Sequence, residues 1–326
     1  MRRREVIALV GSGAVVWPLV ARAQGTMPIV GFLDTGAQTT NASLVAAFQD
    51  GMRESGFVEG KNVRIEYRWA NGDYGRLPKL VADLVRIPVA VLATGGGEPT
   101  ARAAKAATTS IPIVFDSGTS PVELGLVASL NHPGGNMTGV NQMVEEVVTK
   151  QIGLLHVLVP QARVIGMLVD PNLPRTEGLV RKAQAAVSAL GCELRVVNAG
   201  SDRDFGAAFA TLSQERIGAL FVSPTPFFSS RRDRVIALAA SHAIPALYVR
   251  REFASDGGLM SYGTSLPNTY RQIGVYVGRI LKGEKPAELP IMQPTKFDLA
   301  INLKTARTLG ITVPPTLLAT ADEVIE

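Results

Sequence analysis

The chain has 326 residues, 46% hydrophobic and 19% charged, enough for two separate cores and not the composition of a disordered polymer. Of its net charge of +5, three units belong to residues 1–23: there the 33 Lys+Arg lose four and the 28 Asp+Glu lose one, leaving 29 against 27, or +2. No basic stripe with interleaved aromatics accompanies that charge, which argues against a nucleic-acid partner, and the single cysteine, Cys192, excludes an intrachain disulfide or a multi-cysteine metal site.

Arg2-Arg3-Arg4, the apolar residues 6–20 and Ala21-Arg22-Ala23 before Gln24 together read as a secretory signal peptide over residues 1–23. The paired arginines also allow a twin-arginine route. No cysteine follows the cleavage point, so lipid anchoring is not expected. A bacterial chain so equipped is expected in the periplasm.

The mature chain alternates strands and helices. Residues 29–33 form a strand ending at Asp34-Thr35-Gly36. A helix follows over 42–55, with Leu44, Val45, Phe48 and Met52 on one face and Gly56 closing it. The alternation over 62–69 predicts a half-buried strand, and 74–85 a helix. Residues 89–93 are a short apolar run, right for a buried parallel strand. They lead into Thr94-Gly95-Gly96-Gly97 and a helix opened by Glu98-Pro99. Residues 111–115 form a fourth strand, ending at Asp116-Ser117, and 124–130 a short helix.

The pattern then restarts. A strand over 164–169 ends at Asp170-Pro171-Asn172, and a helix over 178–190 is closed by Gly191. A strand over 193–197, a helix over 205–214 and a strand over 219–222 follow, the last ending at Ser223-Pro224-Thr225-Pro226. A helix over about 230–242 and a strand over 244–248 complete the set. Gly31 and Gly56 recur as Gly166 and Gly191 at one offset, 135 residues. This internal duplication predicts an α/β protein of two similar doubly wound parallel-sheet lobes. Lobe one takes 27–140 plus about 262–290, and lobe two 141–261 plus about 291–326. About three crossings join them as a hinge. A helix over 267–281 and a strand over 297–301 lie in the later segments, where Asn302 caps a last helix through Leu309.

Ligands of open α/β sheets bind beyond the carboxyl ends of strands. The candidates in lobe one are Asp34, Thr35, Thr94, Gly95, Gly96, Asp116 and Ser117; in lobe two, Asp170, Asn172, Ser223, Thr225, Tyr248 and Arg250; at the crossings, Asn141 and Tyr262. Thr94 with the amides of Gly95 to Gly97 suits a carboxylate, and Asp116 or Asp170 an ammonium group. Tyr248, Tyr262, Phe227 and Phe228 offer an apolar wall. Competing structural roles exist: Asp34 and Asp170 as helix caps, Tyr262 as a hinge brace, Phe227 and Phe228 as core, Arg250 as a solvated charge. Catalysis is not expected. His132, His156 and His242 lie away from strand ends, and no Gly-x-Ser-x-Gly or His-Glu-x-x-His stretch occurs. Gly95 to Gly97 lack phosphate-loop spacing and its lysine, which argues against a nucleotide site; no cofactor or metal is expected.

Four stretches, residues 129–140 (Ser-Leu-Asn-His-Pro-Gly-Gly-Asn-Met-Thr-Gly-Val), 257–263, 279–286 and 293–306, together with the ending Ala321-Asp322-Glu323-Val324-Ile325-Glu326, carry a family resemblance. The chain resembles the substrate-binding proteins of ABC transporters, in the family that includes tryptophan- and phenylalanine-binding members. The resemblance implies a type I periplasmic-binding fold and capture of a small molecule, an amino acid or an aromatic or other small carboxylate, by lobe closure. It also implies delivery of the cargo to an inner-membrane permease; a monomer is expected. The alternative use of such a cleft is a ligand-sensing module for a membrane receptor. Two stretches depart from the family pattern, both at the expected cleft mouth. Ser120-Pro121-Val122 stands where Asp-Pro-Val is usual, and Thr94 to Gly97 replaces a hydroxyl- and proline-containing turn.

Overall fold

The computed structural model describes residues 27–326 apart from Pro174; the signal-peptide reading lies outside the described residues. The first lobe comprises β1 (Ile29–Asp34), α1 (Ala42–Glu54), β2 (Arg64–Trp69), α2 (Leu77–Val85), β3 (Val89–Gly95), α3 (Glu98–Ala107), β4 (Ile113–Ser117) and β5 (Met137–Asn141). Its strands make an all-parallel sheet in the order β2-β1-β3-β4-β5. The second lobe begins with α4 (Val148–Leu158), β6 (Val164–Val169), α5 (Thr176–Ala189), β7 (Glu193–Asn198), α6 (Asp204–Gln214) and β8 (Ala219–Val222). It continues through α7 (Pro226–Ser230), α8 (Arg232–Ser241), β9 (Ala246–Tyr248), α9 (Arg251–Ser255) and β10 (Met260–Gly263).

The chain then returns to lobe one as α10 (Leu266–Leu281), and residues 289–292 run along β5, where the Asn141 N–H donates to the Met292 carbonyl at 2.8 Å. It ends in lobe two with β11 (Asp298–Asn302), α11 (Leu303–Thr308), α12 (Pro315–Leu318) and β12 (Glu323–Ile325). The second sheet runs β12-β11-β10-β9-β8-β6-β7, and β11 is antiparallel to β10 because it arrives from the opposite lobe. Among the described residues no helix is long and apolar enough to cross a membrane.

The repeat in the sequence is a repeat in packing. Strand order β2-β1-β3-β4 in lobe one matches β7-β6-β8-β9 in lobe two. Gly31 pairs with Leu92 and Gly166 with Leu220. A Cβ on Gly31 would stand 2.7 Å from the Leu92 side chain, and one on Gly166 2.4 Å from Ile217, so both strands need glycine to let large residues cross them. Gly56 and Gly191 both hold left-handed φ, +86° and +69°, just past the helices they close.

Three predicted elements differ. Residues 124–130 form turns rather than a helix: Gly125 takes φ +65°, the Leu126 N–H returns to the Pro121 carbonyl at 2.8 Å, and Leu126 and Val127 tuck into the first core. The helix expected over 230–242 is two helices, α7 and α8, broken at Arg231, whose φ is −119°. Residues 74–76 make a 3-10 turn before α2, because the Asp73 carboxylate accepts from the Gly75 N–H at 2.9 Å. In α11 the Asn302 side chain does cap, accepting from the Thr305 N–H.

Candidate ligand cleft between the lobes

The carboxyl ends of β1, β3 and β4 face those of β6, β8 and β9. Between β3 and α3 the chain turns through Gly96 and Gly97, at φ +84° and +86°. Glycine is required at Gly96, where a Cβ would lie 2.0 Å from the Thr35 hydroxyl. The Thr100 hydroxyl, one turn into α3, fixes the turn by donating to the carbonyls of Gly95 (2.9 Å) and Gly97 (2.8 Å). The Gly97 N–H donates to Asp116 Oδ1 at 3.0 Å, so that amide serves an internal carboxylate. Gln142 Nε2 donates to Asp116 Oδ2 at 2.6 Å. Behind this layer Asp34 accepts from the Tyr270 hydroxyl (2.6 Å), the Gly36 N–H (2.6 Å) and Asn41 Nδ2 (2.9 Å).

Two arginines enter from lobe two. Arg175, before α5, pairs with Glu98 at the start of α3, and its other terminal nitrogen donates to the Pro224 carbonyl. Both partners are buried, with side chains 7% and 2% exposed. Glu98 Oε1 also accepts the N–H groups of Gly118 (2.9 Å) and Thr119 (3.0 Å), while the Thr119 hydroxyl reaches across to Glu145 at 2.9 Å. The second arginine, Arg250, is half-buried after β9 and lines the cleft with Gly96, Asp116 and Leu266. Among the described residues, no carboxylate pairs with its guanidinium, whereas Arg175 has Glu98 and Arg232 has Asp256.

The lobes touch closely. The cleft between them keeps ≈ 20 Å³ of free space, about one or two waters' worth. An outer recess between Thr40, Asn41 and Ser43 of one lobe and Ser229 and Glu252 of the other keeps ≈ 110 Å³ and shares Arg250 with it. A cavity of ≈ 430 Å³ lies on the hinge side, lined by residues such as Ser265, Asn268, Gln272 and Thr295.

Burial dominates the acidic groups. It pushes Asp34 and Asp170 above the usual carboxylate range against the hydrogen bonds they accept. It pushes Asp116 up to about 7, opposed by the Gly97 N–H and reinforced by the neighbouring Asp34 and Glu98 charges. For Glu98, burial also acts upward, but the Arg175 charge and hydrogen bond outweigh it and hold the carboxyl low.

A raised Asp116 binds its proton more tightly in the folded state. Its contribution to stability is therefore full below its ordinary value of 3.8 and lost as pH rises towards about 7. Asp34 acts in the same sense. Asp116→Asn keeps an acceptor for the Gly97 N–H and removes the titration. The expected result is a flatter stability profile from pH 4 to 7, by on the order of a few kcal/mol in urea melts. Parallel profiles for variant and parent would remove Asp116 as their source.

The strand-end residues fall into three groups. Gly96, Asp116 and Arg250 line the cleft, with Asp34, Thr35 and Gly95 packed directly behind Gly96 and Asp116. Among the described residues, Thr94 is buried with an unpartnered hydroxyl and Asp170 with one unpartnered oxygen, Oδ2; neither lines the closed cleft. The rest hold local structure. Ser117 Oγ donates to the Thr119 carbonyl (2.6 Å), Asn141 accepts from the Met143 N–H (3.0 Å), and Asn172 donates to the Gly200 carbonyl (3.2 Å). Thr225 caps α7 through the Phe228 N–H (2.9 Å). Ser223 is buried beside Tyr248, which stacks on Phe253 at 4.6 Å inside the second core together with Phe227 and Phe228. Tyr262 stacks on Phe297 at 6.0 Å at a crossing. Asp34 and Asp170 shape turns rather than cap helices: the N-caps of α1 and α5 are Asn41 and Arg175. Sequence reasoning missed Glu98, Gln142, Arg175 and Tyr270. The one local signal among them was an acid opening a helix directly after three glycines.

Residues 38–325 match the family model described as ABC transporter substrate binding protein. The chain belongs to that family. This substrate-binding protein is 24% identical over 268 residues to a tyrosine-binding protein of Clostridioides difficile, covering 81% of this chain and 75% of the relative. A conserved domain protein of Vibrio cholerae matches with a TM-score of 0.85 at 26% identity, over 92% of this chain and all of that one. An ABC domain from Streptococcus pneumonia in complex with L-Trp matches at 0.84 and 24% identity, with the same coverage. The fold is that of type I periplasmic binding proteins, and the family binds solutes and is not enzymatic.

Proposed function

We propose that this protein is the periplasmic component of an ABC importer, a monomer that captures an amino acid or an aromatic or other small carboxylate and delivers it to an inner-membrane permease. The observation that carries this reading is Arg250: a half-buried cation without a carboxylate partner among the described residues, whose charge acts on Asp116 and Asp34 across the cleft. A guanidinium withdrawn from water without an anion is costly, and a cargo carboxylate supplies the anion in bidentate geometry. Asp116 then faces the cargo's ammonium group, which favours its ionised form. The cleft as it stands is too small to hold an amino acid, so capture requires the lobes to part about the crossings and to settle over the cargo further apart than they stand here.

A thermal-shift panel of L-tyrosine, L-tryptophan, L-phenylalanine, L-leucine, benzoate and glucose tests this. Cargo at about 100 times its dissociation constant adds roughly 2.7 kcal/mol. At least one carboxylate-bearing compound is expected to stabilise the protein. Stabilisation by the sugar alone would refute the reading.

A further inference from the structure

Glu98 is a carboxylate already seated in the wall of the cleft, held by Gly118 and Arg175, which line it. It accepts two backbone N–H groups, Gly118 at 2.9 Å and Thr119 at 3.0 Å, and a guanidinium from the opposite lobe, Arg175. Donors of these kinds from both lobes are what would grip a cargo's acid group on closure. The position is built: Glu98 is 1% exposed, and Arg175 is fixed by its second bond to the Pro224 carbonyl. Arg250, by contrast, has no carboxylate partner among the described residues. The cleft thus contains two places for an anion, one filled by the chain itself.

We propose that Glu98 is a specificity-determining residue: it occupies a second anion subsite and so restricts the cargo to acids with one carboxylate. This rests on reading the cleft as the site of a small acid. A dicarboxylate held between the closing lobes would bring its second charge against Glu98 with Arg175 already engaged, an uncompensated buried charge.

The subsite is tested without knowing the cargo. Glu98→Ala empties it, and formate or acetate should refill it. The variant is expected to show a saturable rise in melting temperature of roughly 5 °C with either anion, absent with chloride and larger than any rise the unmodified protein shows through Arg250. A variant folded by circular dichroism but indifferent to both anions overturns the proposal. The second measurement needs no variant. L-glutamate and L-aspartate should leave the melting temperature of the unmodified protein unmoved, and a dicarboxylate that stabilises it overturns the proposal. If no carboxylate-bearing compound of the panel stabilises the unmodified protein, the cargo reading fails by itself, and the acetate result still decides the subsite.

Discussion

Arg250→Gln is expected to abolish capture of a carboxylate-bearing cargo while leaving the melting temperature almost unchanged. The side chain holds no ion pair among the described residues, and α9 begins with the extended backbone of Arg250 rather than with a side-chain cap. Removing it therefore breaks little in the cargo-free protein. In the complex it removes the partner of a desolvated carboxylate, which costs about 2–5 kcal/mol. That is a loss of affinity of roughly thirty- to several-thousand-fold. Arg250→Lys keeps the charge without the planar fork and should fall between the two. Titration calorimetry with a cargo found in the panel measures this, and an Arg250→Gln protein that binds like the parent would remove the residue from the site.

Gly274→Ala is expected to destabilise the protein by about 3 kcal/mol or more, against its helix propensity. In a helix interior, alanine is favoured over glycine by about 1 kcal/mol. Yet α10 lies directly on α1: a Cβ on Gly274 would stand 2.1 Å from the Phe48 carbonyl oxygen, and one on Gly51 1.9 Å from that of Arg271. Backbone cannot give way as a side-chain tip can, so the two helices must separate and open the first core around Phe48, Tyr270 and Val277. At about 2–4 °C per kcal/mol the melting temperature should fall by roughly 6–12 °C. Gly153→Ala in α4 is the control: its Cβ meets no atom of the described residues within 4 Å, and the propensity gain should appear alone. If both variants gain stability, the close approach does not govern. Loosening α10 should also weaken the cleft, since Tyr270 on that helix donates to Asp34.

The lobes were legible because their signals are local or periodic. Short apolar runs ending in polar turns placed β1, β3, β6 and β8. The offset from Gly31 and Gly56 to Gly166 and Gly191 exposed the repeat, since each lobe needs glycine at the same strand crossing and helix end. The cleft was legible only in part. Topology marks strand ends but does not say which side chains a neighbouring loop already uses. Asn172, Ser117 and Thr225 stand at such ends and hold turns and caps, while Tyr248 is drawn into the second core by Phe253. The residues that join the lobes were illegible for a different reason. Glu98 and Arg175 lie 77 positions apart, and Asp34 and Tyr270 lie 236 apart. Only the docking of the two lobes, or of α10 on the first sheet, brings these pairs together.

The most direct test of the account is a crystal structure of the protein grown with the amino acid that stabilises it most. The expected result is cargo between the lobes, its carboxylate on the Arg250 guanidinium and its ammonium group at Asp116, with Glu98 still bound to Arg175. Cargo in the hinge-side cavity beside Ser265 and Thr295, with the cleft empty, would contradict it.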